Sequence, residues 1–379
     1  MLEIGSEQDA AHLRRALELA ARGRGEVSPN PLVGAVLARG GEVIGEGFHA
    51  ELGGAHAERA AIEDARSRGE STEGSTLFVT LEPCAHTGRQ PPCTEVIIET
   101  GVSRVLYASE DPTEKASGRG PGILRDSGVE VELANGAEAA AARLLNQPFR
   151  KLARTGRPLV TYKAAMSLDG RVAAPGGDSR WISSAQRREL VHRWRADCDG
   201  VAVGIGTALA DDPLLTARLQ DGAPAGRQPL RIVFDSQARL PLHSALVGSV
   251  DEAPLLLICA QTAASERLEA LRGAGVEAVV VPGRDRGARL GAALDELGRR
   301  EVGDLLLEGG PLLAGGFMDA GELDELRLFM APLLVGASEA RAVLEGTGAP
   351  RIAEGVRPLS VERESVGEDL LIRARIREW

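Results

Sequence analysis

The chain has 379 residues, too many for one ordinary domain, so two are expected. With 43% hydrophobic and 26% charged residues, and Gly plus Pro near about 17%, disordered and collagen-like classes are excluded. The formal charge of −11 repels phosphate backbones and disfavours a general nucleic-acid binder. The stretch up to Val27 carries Glu3, Glu7, Asp9, Arg14, Arg15 and Glu18. It therefore does not read as a signal peptide, and no run approaches the length of a membrane span. A cytoplasmic protein is expected. Four cysteines are too few for a disulfide framework.

The apolar residues of Gln8–Arg22 recur at helical spacing, and the Gly/Pro-rich run Gly23–Pro31 ends that helix. Leu32–Ala38 and Glu42–Gly45 flank Arg39-Gly40-Gly41 as a hairpin would. A helix over His56–Ser67, a strand over Thr76–Thr80, a helix over Thr94–Thr100, a strand over Arg104–Ala108 and an Ala-rich helix over Gly136–Leu145 complete an α/β unit. The basic segment from Asn146 to Pro158, with two prolines and no sustained period, reads as a linker, so the domains are expected at 1–150 and 151–379. Beyond it, strands are expected at Leu159–Met166, Gly200–Val203, Leu230–Phe234, Leu255–Cys259, Ala278–Val281, Asp304–Leu307 and Asp369–Ile376. Helices at Gln186–Arg195, Ala264–Arg272, Ala288–Arg299 and Leu312–Asp319 lie between several of them. The pattern is that of a second α/β domain with a mostly parallel, buried sheet.

Three pieces of the first domain fit a catalytic zinc: His56-Ala57-Glu58 at a helix start, Pro83-Cys84 after a strand, and Cys93 opening the next helix. Two thiolates and one imidazole fill three tetrahedral positions and leave the fourth for water. Glu58, two residues past a ligand, suits the proton carrier of the signature H-x-E…P-C-x-x-C, although here the cysteines are separated by eight residues. A nucleic-acid base deaminase would favour C-x-x-C and a basic groove. A purely structural zinc module would want a fourth ligand, for which His49 and His86 are the nearby candidates.

Gly54-Ala55-His56-Ala57-Glu58 with Leu81-Glu82-Pro83-Cys84-Ala85-His86-Thr87-Gly88-Arg89-Gln90-Pro91-Pro92-Cys93, and the upstream Ser28-Pro29-Asn30-Pro31, closely resemble the deaminase half of the bifunctional riboflavin-biosynthesis deaminase/reductase family. Lys163-Ala164-Ala165-Met166-Ser167-Leu168-Asp169-Gly170-Arg171, Ser179-Arg180-Trp181-Ile182, Gly206-Thr207-Ala208-Leu209-Ala210-Asp211-Asp212-Pro213 and Leu307-Glu308-Gly309-Gly310 resemble its reductase half, a relative of dihydrofolate reductase. The resemblance implies a cytidine-deaminase-like three-layer domain followed by a dihydrofolate-reductase-like α/β domain. The first would hydrolytically deaminate a diaminopyrimidine ribonucleotide, and the second would reduce its ribosyl group with NADPH.

It further implies zinc on His56, Cys84 and Cys93, with Glu58 moving the proton and Asn30, His49 and His86 in the deaminase pocket. Ser179, Arg195, Leu215, Arg218 and Glu308 would face substrate in the reductase. Trp181, Thr207, Asp211, Ser236 and the run Gly310, Pro311, Leu312, Leu313, Ala314, Gly315 and Gly316 would face the cofactor. Where the family often reads Asp-Pro-Asn-Pro, this chain has Asp111-Pro112-Thr113-Glu114, and a hydroxyl offers one donor where an amide offers two. Arg180 and Arg239 are basic residues near the candidate loops that could meet a 2′-phosphate, whereas Cys198 and Cys259 read as core thiols. The implied partner is a small pyrimidine ribonucleotide, with no nucleic acid and no membrane. A homo-oligomer is left open.

Overall fold

A computed structural model describes residues 7–86, 91–113, 116–177, 185–219 and 221–379. The chain divides into two compact units, one running to Thr155 and including Trp379, the other spanning Gly156–Glu378.

The first unit runs α1 (Glu7–Ala21), β1 (Gly34–Arg39), β2 (Glu42–Phe48), α2 (Ala57–Ser67), β3 (Thr76–Val79), α3 (Cys93–Glu99), β4 (Arg104–Tyr107), α4 (Arg119–Asp126), β5 (Glu130–Leu133), α5 (Gly136–Leu145) and α6 (Gln147–Thr155). Its sheet has the order β2-β1-β3-β4-β5, with β1 antiparallel to both neighbours and β3, β4 and β5 parallel. Because strand side chains alternate between faces, Ala35, Leu37, Leu77, Val79 and Val105 pack with α2 and α3, while Val36, Ala38, Phe78 and Leu106 pack with α1 and α5. The result is helix, sheet, helix. Two glycines of β2 set the closeness of α2. A Cβ on Gly47 would lie 2.3 Å from the Ala61 nitrogen, and one on Gly45 2.3 Å from the Ala61 carbonyl oxygen.

The segment expected as a linker is instead largely α6. Hydropathy misses it because its buried residues are polar: Gln147, Arg150 and Lys151 are nearly inaccessible. They are satisfied by specific partners. Arg150 Nε donates to the Trp379 carbonyl and its Nη1 to Ser109 Oγ and the Glu110 carbonyl, while Lys151 Nζ lies over the Trp379 ring.

The second unit contains β6 (Leu159–Ser167), β7 (Arg171–Ala173), α7 (Ala185–Asp197), β8 (Gly200–Gly204), α8 (Ile205–Asp211), β9 (Leu230–Phe234), α9 (Ala245–Gly248), β10 (Leu255–Ala260), α10 (Ser265–Gly273), β11 (Glu277–Val281), α11 (Arg286–Arg299), β12 (Asp304–Leu307), α12 (Pro311–Asp319), β13 (Glu325–Ala331), β14 (Arg341–Ala342), β15 (Ser360–Val366) and β16 (Asp369–Arg375). Its large sheet has the order β11-β10-β9-β8-β12-β6-β13-β16-β15, parallel from β11 to β13 and antiparallel at β16 and β15. Alternation again splits the core. Val201, Val203, Leu255 and Leu257 join α7 and α10 on one face, whereas Ala202, Ile232, Leu256 and Leu305 join α11 and α12 on the other. Burial on both faces explains why these strands read as continuous apolar runs. Among the described residues, no helix is long and apolar enough to cross a membrane.

Candidate active sites

In the first unit, His56 is the extended N-cap of α2, Cys93 is the first residue of α3, and Cys84 lies in the loop after β3. Their ligand atoms all fall within 4.8 Å of one another, the one such cluster among the described residues. His56 Nδ1 lies 3.2 Å from Cys93 Sγ and 3.5 Å from Cys84 Sγ, and the Cys93 amide donates to Cys84 Sγ at 3.3 Å. The hydrogen bond from the Cys93 thiol, aided by His56, pulls the Cys84 thiol down to about 4, while the same bond and burial push Cys93 upward. Two sulfurs and one imidazole nitrogen this close suit a tetrahedral zinc with one position for a non-protein ligand.

Glu58, on the first turn of α2, is 4% exposed. Burial, reinforced by Cys84, pushes its carboxyl up to about 7, and it bonds the Cys93 thiol. A second chain of contacts fixes the neighbourhood. His49 Nδ1 donates to the Ala55 carbonyl at 3.0 Å, which leaves Nε2 to accept from Asn30 Nδ2 at 3.1 Å. That tautomer follows from the two partners, and burial lowers the His49 pKa, keeping the ring neutral. The His49 and His56 rings meet edge to face at 5.6 Å. Of the residues expected here, Asn30, His49, His56, Glu58, Cys84 and Cys93 come together, whereas His86 is exposed on the loop after Cys84. Thr113 spends its hydroxyl locally, donating to Asp111 Oδ1 at 2.6 Å.

In the second unit, a cavity of about 950 Å³ lies along the carboxyl ends of the parallel strands. Ligands of open α/β sheets occupy this edge. Of the expected residues, Thr207, Asp211, Ser236, Glu308, Gly310, Pro311, Leu312, Leu313 and Gly316 line it. Ala314 instead joins the apolar core, and Gly315 abuts the Glu345 carbonyl, because α12 turns that face away. Leu215 is a core residue with φ 55°. Arg218 donates to Thr216 Oγ1. Ser179, Trp181 and Arg180 lie outside the described residues. Cys198 and Cys259 are both buried, and Cys259 is among the residues that line the cavity.

Sequence reasoning singled out Glu308 and Arg195 but overlooked Lys163 and the ion pairing that joins all three. Lys163, on β6, places Nζ 3.0 Å from Glu308 Oε2, and Arg195 forks both oxygens of the same carboxylate at 2.6 and 3.0 Å. Burial alone would raise Glu308, but Arg195 and Lys163 outweigh it and hold the carboxyl below its usual range; burial lowers Lys163. The signal was available in the sequence: Lys163 is the single charged residue in the buried strand LVTYKAAMS. Arg239, already singled out, lines the cavity, as do Arg187, Arg286, Arg289 and Arg341, whose spread along the chain hid them.

A cytidine-deaminase-type site in one unit and a strand-edge cavity with a buried Lys–Glu–Arg group in the other define a two-domain deaminase and reductase. Residues 6–109 match the family model described as "Cytidine and deoxycytidylate deaminase zinc-binding region", and residues 158–372 match that described as "RibD C-terminal domain". The chain is 38% identical to the riboflavin biosynthesis protein RibD of Actinobacillus pleuropneumoniae, covering 96% of this chain and 94% of that one. It is also 38% identical to RibD of Aquifex aeolicus, with 97% and 98% covered. It superposes on Acinetobacter baumannii RibD with a TM-score of 0.85 at 33% identity, covering 98% and 99% of the two chains. A Thermotoga maritima structure titled a diaminohydroxyphosphoribosylaminopyrimidine deaminase/5-amino-6-(5-phosphoribosylamino)uracil reductase matches with a TM-score of 0.82 at 32% identity, again covering 98% and 99%. The chain belongs to the RibD family of bifunctional riboflavin-biosynthesis enzymes, with a zinc-type deaminase domain followed by a dihydrofolate-reductase-like reductase domain.

Proposed function

We propose that this chain performs both steps named for the Thermotoga protein: hydrolytic removal of an amino group from a diaminopyrimidine ribonucleotide, then reduction of the ribosyl group of the resulting uracil with NADPH. The observation that carries the reading is the buried Glu58 beside the His56, Cys84 and Cys93 cluster, in a chain that separately contains the Lys163–Glu308–Arg195 group.

His56 Nδ1 and the two cysteine sulfurs would hold zinc, which when bound supplies a Lewis acid that acidifies water. Glu58 accepts the proton lost by the attacking water and returns it to the departing amine. A carboxyl near 7 is suited to doing both at neutral pH. His49 fixes the Asn30 carboxamide, whose donor and acceptor edge matches a pyrimidine. In the reductase, NADPH when bound supplies the hydride. Thr207, Gly310 and the first turn of α12 form the wall that positions it, and positioning carries most of such catalysis. Lys163 Nζ, held by Glu308, supplies a proton to the sugar as it is reduced. Phosphorylated intermediates do not cross membranes, which fits a cytoplasmic setting.

Incubating the protein with the diaminopyrimidine nucleotide while following ammonia and NADPH absorbance together tests the reading. Ammonia release followed by NADPH oxidation is expected. Oxidation that requires no deamination, or ammonia release only from RNA, would overturn it.

A further inference from the structure

Asn146, Gln147, Arg150 and Lys151, at the start of α6, are each at most 5% exposed, although packing alone favours apolar residues in such places. A buried polar row persists where its members have specific partners. Here the partners fall into two sets.

The first is Trp379, which follows the second unit in the chain but belongs to the first. Its amide donates to Gln147 Oε1 at 2.7 Å, and its carbonyl accepts from Gln147 Nε2 at 3.2 Å and from Arg150 Nε at 2.6 Å. Lys151 Nζ lies 5.1 Å from the centre of its ring. The two-way bonding to Gln147 fixes the backbone of Trp379, and Lys151 reads its side chain.

The second set is the frame of the deaminase site. Asn146 accepts from the Leu32 amide at 2.8 Å and donates to the Leu32 carbonyl at 2.9 Å, two residues after Asn30. Arg150 Nη1 donates at 3.1 Å to both Ser109 Oγ and the Glu110 carbonyl. That turn holds Glu82, whose amide donates to the Ser109 carbonyl at 2.9 Å and whose Oε2 accepts from the Asp111 amide at 3.4 Å. Glu82 leads through Pro83 into Cys84. One guanidinium therefore meets Trp379 on one nitrogen and the approach to the metal-type cluster on another.

We propose that Trp379 is a positioning residue of the deaminase site: seated on α6, it fixes Arg150 and the helix start, and so holds the segments that carry Asn30 and Cys84. This rests on the first unit being the deaminase. The guanidinium is a rigid fork, so a carbonyl bound to Nε sets where Nη1 reaches. The cluster itself has its own supports, because His56 and Cys93 stand on α2 and α3 and meet Cys84 directly. Occupation of the seat therefore governs how well the nucleotide is bound, whereas zinc retention and proton transfer stay with the cluster and Glu58.

The test compares the wild type with Trp379→Ala, Trp379→Phe and a chain truncated after Glu378. Truncation removes the carbonyl that Arg150 and Gln147 grip. It should raise the deaminase KM for the diaminopyrimidine nucleotide about 10-fold, the scale of a lost charged hydrogen bond, and leave kcat and zinc content within about twofold. NADPH oxidation on deaminated nucleotide should also be unchanged. Trp379→Ala keeps the backbone contacts and should fall between, and Trp379→Phe, which returns a ring to Lys151, should restore the wild-type KM. Amide hydrogen exchange at Leu32 and Asp111 should quicken in the truncated chain. An unchanged KM would overturn the proposal. So would a joint fall of kcat, zinc content and NADPH oxidation, which would make Trp379 a support of the fold alone. A wild type that releases no ammonia overturns the deaminase reading and this proposal with it, whereas unchanged exchange in the truncated chain overturns this proposal alone.

Discussion

Arg195 grips Glu308 through both arms of its guanidinium, Nε to Oε1 at 2.6 Å and Nη2 to Oε2 at 3.0 Å, and its third nitrogen reaches the Thr216 carbonyl at 3.2 Å. An arginine so engaged is poorly placed to serve as a phosphate ligand; it orients the carboxylate that holds Lys163. Arg195→Lys keeps the charge but loses the fork. Reductase kcat should fall by about 10²-fold, the scale of a misplaced reacting group, with little change in KM for the nucleotide. Steady-state kinetics decide: a raised KM with normal kcat would make Arg195 a substrate ligand.

Glu308 also ties the reductase fold to pH. Its folded pKa is depressed, so its contribution is complete above the unfolded value of about 4.3 and is lost as pH falls below it. Glu308→Gln leaves Lys163 and Arg195 buried without their counter-charge, a change that costs about 3–5 kcal/mol. Thermal melts should therefore separate the variant from the wild type by a constant margin from pH 8 to pH 5, and the margin should narrow below pH 4. A margin independent of pH down to 3 would refute this.

The cysteines differ sharply in expected reactivity. Cys84 is the only one of the four not fully buried, and hydrogen bonds from Cys93 and His56 hold its thiol near 4. Burial pushes Cys259 to about 12 and raises Cys198 as well. After metal removal with a chelator, iodoacetamide at pH 6 should label Cys84 first, since the thiolate is the nucleophile. Restored zinc should protect it. Peptide mapping that finds Cys198 or Cys259 labelled as fast would show that the burial is wrong.

Much of this was legible from chain order alone. The apolar strand runs, the Gly40-Gly41 turn and the His56, Glu58, Cys84 and Cys93 spacing depend on local residues, and those residues carry their signals locally. What escaped depends on pairing. β13, beside β6, interleaves charges with its apolar residues, ELRLFMA, so hydropathy gives it no clear run. α4 contains Gly-Pro-Gly and reads as a loop, yet Gly120 is needed where a Cβ would meet the Pro83 carbonyl oxygen at 2.0 Å. The arginines of the cavity are separated by up to about 150 positions and meet only once parallel strands align their carboxyl ends.

Gly47 offers a test of how tightly the first site depends on helix placement. Its missing Cβ lets the α2 backbone approach β2, and α2 carries His56 as its cap and Glu58 on its first turn. In Gly47→Ala the methyl carbon would meet backbone atoms of Ala57 and Ala61, which cannot swing aside like a side chain. A destabilisation of about 1–3 kcal/mol is expected, as for other overpacked interiors. Deamination should fall with it while NADPH oxidation on deaminated substrate is retained. Chemical denaturation together with the two activity assays checks this, and normal deamination would mean that the site tolerates a displaced helix.

Glu58→Gln separates chemistry from metal binding. The carboxamide keeps the volume of the side chain and its place on α2, and none of the three clustered ligand residues is replaced. Zinc content measured by atomic emission should stay near that of the wild type. The proton carrier is lost, however, and removal of a positioned general base costs about 10²–10⁴-fold, so ammonia release should fall by that factor. Lys163, Glu308 and Arg195 belong to the other unit, so the variant given already deaminated nucleotide should oxidise NADPH at close to the wild-type rate. Loss of zinc along with deamination would make Glu58 a structural support of the cluster. Deamination at the wild-type rate would move the proton to another group, and His49, 5.6 Å from His56 between ring centres, would be the next to replace.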